Sequence, residues 1–197
     1  LMADAPYGDL RKMDNTEVQE RKKVEDMRLS RSLYLFQQDC ELIREKSEYE
    51  VTGGYQTDND YFQVPGKVLH IDGDPLYLQK CLDLYSKFHV PVQGVHCHEK
   101  EMHLKIGDLI DKYRPDIIVI TGHDAYSKSK GKVSDIKAYR HSRHFVQTVK
   151  EARKKVPHLD QLVIFAGACQ SHFESLIRAG ANFASSPSRV NIHALDP

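Results

Sequence analysis

From Lys67 onward the sequence predicts an α/β fold, a three-layer α-β-α sandwich around a mostly parallel sheet. Three observations carry that expectation. Short apolar, β-rich runs alternate regularly with helix-like segments; the intervening segments are long enough to cover the sheet by right-handed crossovers; and 197 residues can bury a sizeable core without disulfides or metal.

Residues 1–65 differ in character, being highly charged and short of the apolar blocks that a sheet needs. Within them Leu29, Leu33, Phe36, Cys40 and Ile43 recur at alternating steps of four and three, which places them on one face of a helix over roughly residues 16–46. That face wants a partner: the main domain, a second copy of the chain, or a further domain. The turn-rich stretch 47–66 follows as a linker.

The α/β domain spans residues 66–197. Its predicted strands are "KVLHI" (67–71), "VPVQGVH" (90–96), "DIIVIT" (116–121), "QLVIFAG" (161–167) and a short fifth, "ANFAS" (181–185). The predicted helices lie near 75–88, 99–113, 140–155 and 171–179.

Lysine plus arginine equals aspartate plus glutamate at 28 each, which argues against a dedicated nucleic-acid binder or membrane-surface protein. Cysteines 40, 81, 97 and 169 are widely spaced with no Cys-x-x-Cys pair, a usage that suits a reducing, cytoplasmic setting. The sequence has no apolar run of transmembrane length.

In a parallel sheet, ligands and catalytic groups collect outside the carboxyl ends of the strands. Four polar clusters fall there: "DGD" (72–74), "HCHE" (96–99), "GHD" (122–124) and "ACQSH" (168–172). Cys169 follows small residues at a strand end just before a helix, a setting that favours a thiolate and leaves room for a substrate backbone. His123 ends the preceding strand, and strands adjacent in sequence are often neighbours in space, so His123 can serve Cys169 as acid and base. Gly122, Asp124 and Ala168 would support the site or its oxyanion. His172 is a nearer histidine in sequence, but it sits on the following helix. The competing reading is that Cys169 is a buried packing residue, as most cysteines are.

The motif pair "IIVITGHDAY" and "LVIFAGACQSHFESLIRAGANFASSPSR", with "VLHIDGDPLYL" and "ADAPYGDL", resembles the YabG family of sporulation-specific proteases, peptidase family U57. More distantly, an apolar strand ending in histidine followed by one ending in alanine-cysteine is similar to the caspase, gingipain, clostripain and separase clan. The resemblance implies a caspase-like or flavodoxin-like sheet, Cys169 as nucleophile and His123 as its partner, no cofactor, and self-cleavage. It also implies a mother-cell endopeptidase that processes spore coat and morphogenetic proteins next to arginine. Two departures stand out: Asp124 follows the histidine where the distant clan has glycine, and the small β-rich domain expected upstream of "ADAPYGDL" is not in this sequence, so a truncated or processed chain is expected.

Reading an arginine calls for a carboxylate, and Asp72, Asp74 and Asp124 are the strand-end candidates. For Asp74, which precedes Pro75, a helix-capping role competes. His96 and His98 would line the cleft rim, with His172 as a further substrate-binding candidate. Two alternative functions remain at this point. A zinc-dependent hydrolase would use His96, Cys97, His98, Glu99 and His103, although no strict zinc spacing is met and neighbouring strand residues face opposite ways. A non-enzymatic scaffold would hold a coat protein through the sheet edge or the N-terminal helix, which could also mediate homo-oligomers. The basic stretch Tyr126 to Phe145 reads as a mobile loop flanking the cleft or as plain solvated surface, and no phosphate-binding loop is present.

Overall fold

The structure is a computed structural model, and it describes residues 14–24, 26–28, 30, 31, 34, 38 and 65–188. Every described position from 15 to 38 is helical, and this helix, α1, belongs to a separate compact unit from the α/β fold. Asp14 precedes it and accepts a hydrogen bond from Glu17 N at 2.8 Å, a helix-capping contact. The apolar stripe of Leu29, Leu33, Phe36, Cys40 and Ile43 lies outside the described residues, as does the linker up to residue 64.

The α/β unit runs β1 (Val68–Asp72), α2 (Pro75–Lys87), β2 (Val92–His96), α3 (Met102–Tyr113), β3 (Ile117–Thr121), α4 (Ser142–Lys155), β4 (Val163–Ala166), α5 (Phe173–Ala179) and β5 (Phe183–Ala184). All pairings are parallel and the strand order is β2-β1-β3-β4-β5. This is the flavodoxin-like order among the sandwiches that the sequence suggests. β1, flanked by β2 and β3, is buried at all five positions, as a central parallel strand must be.

Alternation along the strands separates two faces. Leu69, Ile71, Ile118, Ile120, Ile164 and Ala166 pack in one core with Met102 and Ile106 of α3, Phe145 and Val149 of α4, and Leu176 of α5. Residues of opposite parity point the other way, where the His70 ring meets Tyr85 of α2 edge-on at 5.8 Å. The layers are therefore α2, the sheet, and α3 with α4 and α5.

Local signals account for the helix ends. α2 starts with Asp74 as N-cap and Pro75 in its first turn. α5 stops at Gly180, whose φ of +107° suits a left-handed cap. The predicted helices begin two or three residues too early at α3, α4 and α5, because the strand-end loops there hold chain in turns.

With order β2-β1-β3-β4-β5, the chain leaves β1 toward β2 on one side, while the later strands add on the other. Loops after β1 and β3 consequently diverge, and the carboxyl ends of these two strands form the switch point at which this strand order binds ligands.

Candidate active site at the carboxyl ends of β1, β3 and β4

β3 and β4 are neighbours, and their last paired residues are Ile120 and Ala166. His123 and Cys169 each lie three positions beyond that pair, in the loops that leave the same edge of the sheet. Both are half-buried.

Cys169 occupies a tight turn. Ser171 N donates to Ala168 O at 3.1 Å, and Ser171 Oγ accepts from Ala168 N at 2.9 Å. Ser185 Oγ donates to Ala168 O at 3.0 Å, and Gly167 N donates to Ile120 O at 2.9 Å. Gly167 enters the turn at φ +125°, and a Cβ there would stand 2.5 Å from Ser185 Oγ, so glycine is required. The sequence expectation of a thiolate-favouring helix end finds little support, since α5 has only seven residues and its N-cap is the His172 side chain. The turn, rather than a helix dipole, sets the position of Cys169.

His123 Nε2 donates to Asp74 Oδ2 at 2.8 Å, and its ring packs edge-on against Tyr77 at 5.8 Å. The other Asp74 oxygen accepts from Leu76 N at 2.8 Å and Tyr77 N at 3.2 Å. Burial works to raise the Asp74 carboxyl, but the His123 hydrogen bond and the two helix amides outweigh it and hold the group below its ordinary value. Asp74 thus caps α2 and fixes His123 together, leaving Nδ1 as the ring nitrogen away from this anchor. Asp72 supports the loop from beneath: it accepts Asp74 N at 2.6 Å and Thr121 Oγ1 at 2.6 Å, while Thr121 Oγ1 also meets His70 Nε2 at 2.7 Å.

Asp124 is a buried hub. It accepts from Ala125 N at 2.9 Å, His141 N at 2.8 Å, Ser142 Oγ in a short contact, and Ser171 Oγ at 3.0 Å. Burial pushes its carboxyl up against the opposing pull of these donors. One side chain so ties the His123 loop, the start of α4 and the Cys169 turn.

The other sequence candidates divide. Asp72, at 4% exposure, and Asp124, at 8%, are engaged by internal donors, so neither presents a carboxylate to a substrate arginine. Asp74 is committed to His123 and α2. His172 is buried; its Nε2 donates to Ser134 O at 3.2 Å and its Nδ1 accepts from Ser175 N at 3.3 Å, so it caps α5 and is not offered to substrate. The Ala168 N–H is used within the turn, and the His123 N–H donates to Glu99 Oε1 at 2.9 Å, which leaves neither for an oxyanion. His96 and His98 are exposed at the rim, rings edge-on at 5.4 Å.

The donors of the proposed zinc cluster disperse. Cys97 is buried with its thiol raised by burial, Glu99 turns toward His123, and His103 lies on α3. Among the described residues no group of three or more histidine, cysteine or acidic side chains is arranged to hold a metal. The basic stretch after His123 is braced to the site: Tyr126 pairs with Tyr139, Tyr126 N donates to Gln170 Oε1 at 3.0 Å, and Ser134 O holds His172.

Comparison with known proteins decides the family. The family described as YabG peptidase U57 matches residues 1–197. The chain belongs to the YabG peptidase family. It is 66% identical over 197 residues to the sporulation-specific protease YabG of Bacillus subtilis (strain 168), covering all of this chain and 68% of that protein. Membership of the YabG family makes the chain a cysteine protease. A solved chain described as a putative pilus assembly-related protein from Burkholderia pseudomallei K96243 shares 15% identity at a TM-score of 0.39, over 64% of this chain and 81% of that one, a likeness too slight to bear on the fold.

Several supporting residues escaped the sequence reading. Ser142, Ser171, Gln170 and Thr121 act through hydrogen bonds between segments far apart in sequence. Glu99 was visible to the sequence reading only as a zinc-ligand candidate in "HCHE", not as the acceptor of the His123 N–H.

Proposed function

We propose that this chain is a Cys-His endopeptidase that cleaves spore coat and morphogenetic proteins next to arginine. The observation that carries the reading is that His123 and Cys169 follow the carboxyl ends of the adjacent parallel strands β3 and β4, with His123 anchored by Asp74. The mother-cell cytoplasm, or the forming coat, is the setting this reading gives it, drawn from the sporulation-specific relative. Self-cleavage and self-association through the N-terminal apolar stripe belong to the same reading, the latter supported by helical spacing alone.

In the first half-reaction the Cys169 sulfur attacks the scissile carbonyl carbon while His123 Nδ1 takes the thiol proton. The C–N bond breaks as the imidazolium returns that proton to the departing amine, leaving a thioester on Cys169. Water then attacks the thioester, His123 accepts its proton, and the acid is released as the proton passes back to sulfur. Asp74 keeps Nε2 protonated, so Nδ1 stays the basic nitrogen. The Gly122 N–H, beside His123, is the backbone donor assigned to the oxyanion.

The test is incubation of a recombinant coat protein with wild type, Cys169→Ala and His123→Ala, with new termini mapped by mass. Cleavage after arginine by wild type, lost in both variants, is expected; full cleavage by Cys169→Ala would refute the nucleophile.

A further inference from the structure

The three strand-end aspartates are occupied, yet a fourth carboxylate beside them keeps one oxygen without a donor among the described residues. Glu99 reaches in from the loop after β2 and lies between Gly73 and Gly122, at the divergence of β1 and β3. A Cβ on Gly73 would stand 2.3 Å from Glu99 Oε1 and 3.0 Å from Oε2; a Cβ on Gly122 would stand 2.7 Å from Oε1. The two glycines thus leave the space that this carboxylate fills. Glu99 is only 7% exposed, and Oε1 accepts the His123 N–H at 2.9 Å. Among the described residues Oε2 has no hydrogen-bond donor and Glu99 no ion-pair partner. His141 lies within its electrostatic reach, but burial disfavours the charged form of that ring. Oε2 is not among the buried side-chain atoms that lack a partner, so it keeps contact with solvent, where an incoming cation can reach it.

We infer that Glu99 is the specificity residue that receives the cationic side chain of the substrate next to the scissile bond, its Oε2 pairing with the guanidinium. The assignment rests on the protease reading and deepens it. Geometry supplies two reasons: the free oxygen belongs to a side chain bonded to the backbone of His123, and the switch point at β1 and β3 is where this strand order binds ligands. A planar guanidinium can engage Oε2 and a neighbouring carbonyl together, which a lysine ammonium does less well.

Glu99→Gln is the probe, because its amide oxygen still accepts from His123 N while the charge is gone. Three peptides identical except for arginine, lysine or citrulline before the cleaved bond give the readout. The kcat/KM ratio of arginine to citrulline is expected to fall at least ~30-fold in Glu99→Gln, as for loss of one member of a buried charge pair. An unchanged ratio, or an equal loss on all three peptides, overturns the assignment and leaves Glu99 as a prop for His123. Wild type that cleaves none of the peptides, under conditions where it cleaves no coat protein either, fails the protease reading itself. Butylguanidinium gives a measurement independent of variant folding: it should inhibit wild-type cleavage of the citrulline peptide competitively, and absence of inhibition contradicts a guanidinium site.

Discussion

Replacing Asp74 by serine separates two jobs that the aspartate performs at once. Its Oδ1 caps α2 through Leu76 N and Tyr77 N, and its Oδ2 holds His123 at 2.8 Å. Serine is a good N-cap, so Asp74→Ser should be more stable than Asp74→Ala by about 1 kcal/mol, a Tm difference of roughly 2–4 °C. Neither variant can hold His123. The His123 side chain is 44% exposed and that of Asp74 22%, so the charge-assisted bond belongs near the lower end of its range, about 1.5 kcal/mol, or about tenfold in rate. Disturbed choice of the ring nitrogen adds to this, giving a kcat loss of roughly 10- to 100-fold in both variants. The sign with pH follows from a depressed folded-state value: the carboxylate's stabilising contribution is present above about pH 4 and is lost as pH falls through the folded value. Thermal melts and peptide kinetics across pH are the assays. Full kcat in Asp74→Ser would refute the idea that Asp74 positions His123.

Other perturbations have equally definite outcomes. Asp124→Ala strands His141 N, Ser142 Oγ and Ser171 Oγ, so a loss of about 3 kcal/mol or more is expected in denaturant titration, with Cys169 less ordered. Because burial raises Asp124, its desolvation cost is absent below about pH 4 and grows as pH rises through the folded value; the stability gap between wild type and Asp124→Asn should therefore vary with pH in the opposite sense to that of Asp74. Gly167→Ala, forced to adopt φ +125° against Ser185 Oγ, should cost about 1–3 kcal/mol and lower kcat by misplacing the Cys169 turn. Chelators should leave peptide cleavage unchanged, as measured by initial rates, and a loss restored by zinc would revive the metal-hydrolase alternative.

Much of the fold is written in local pattern. The apolar strands, "VLHI" buried at every position and "IIVI" alternating buried with half-buried, were legible because a central parallel strand needs no polar alternation. Strand order was not, since crossover direction depends on which edge of the sheet receives each strand. The same limit divides the site. Cys169 and His123 show themselves as polar residues at strand ends, whereas the roles of the carboxylates depend on contacts that residue type cannot report. Asp72, Asp74 and Asp124 look alike in sequence; one underpins a loop, one anchors a histidine and one ties three segments. Glu99 could pass for part of a metal motif until strand alternation sends its neighbours apart.

Selective alkylation measured beside activity tests the central claim most directly. Cys81 and Cys97 are buried, and burial pushes the Cys81 thiol up to about 12 and raises that of Cys97, whereas Cys169 is half-buried in the turn after β4. Iodoacetamide titration with peptide mapping by mass should show carbamidomethylation of Cys169 rising in step with loss of coat-protein cleavage. Cleavage that persists when Cys169 is fully modified would contradict the account.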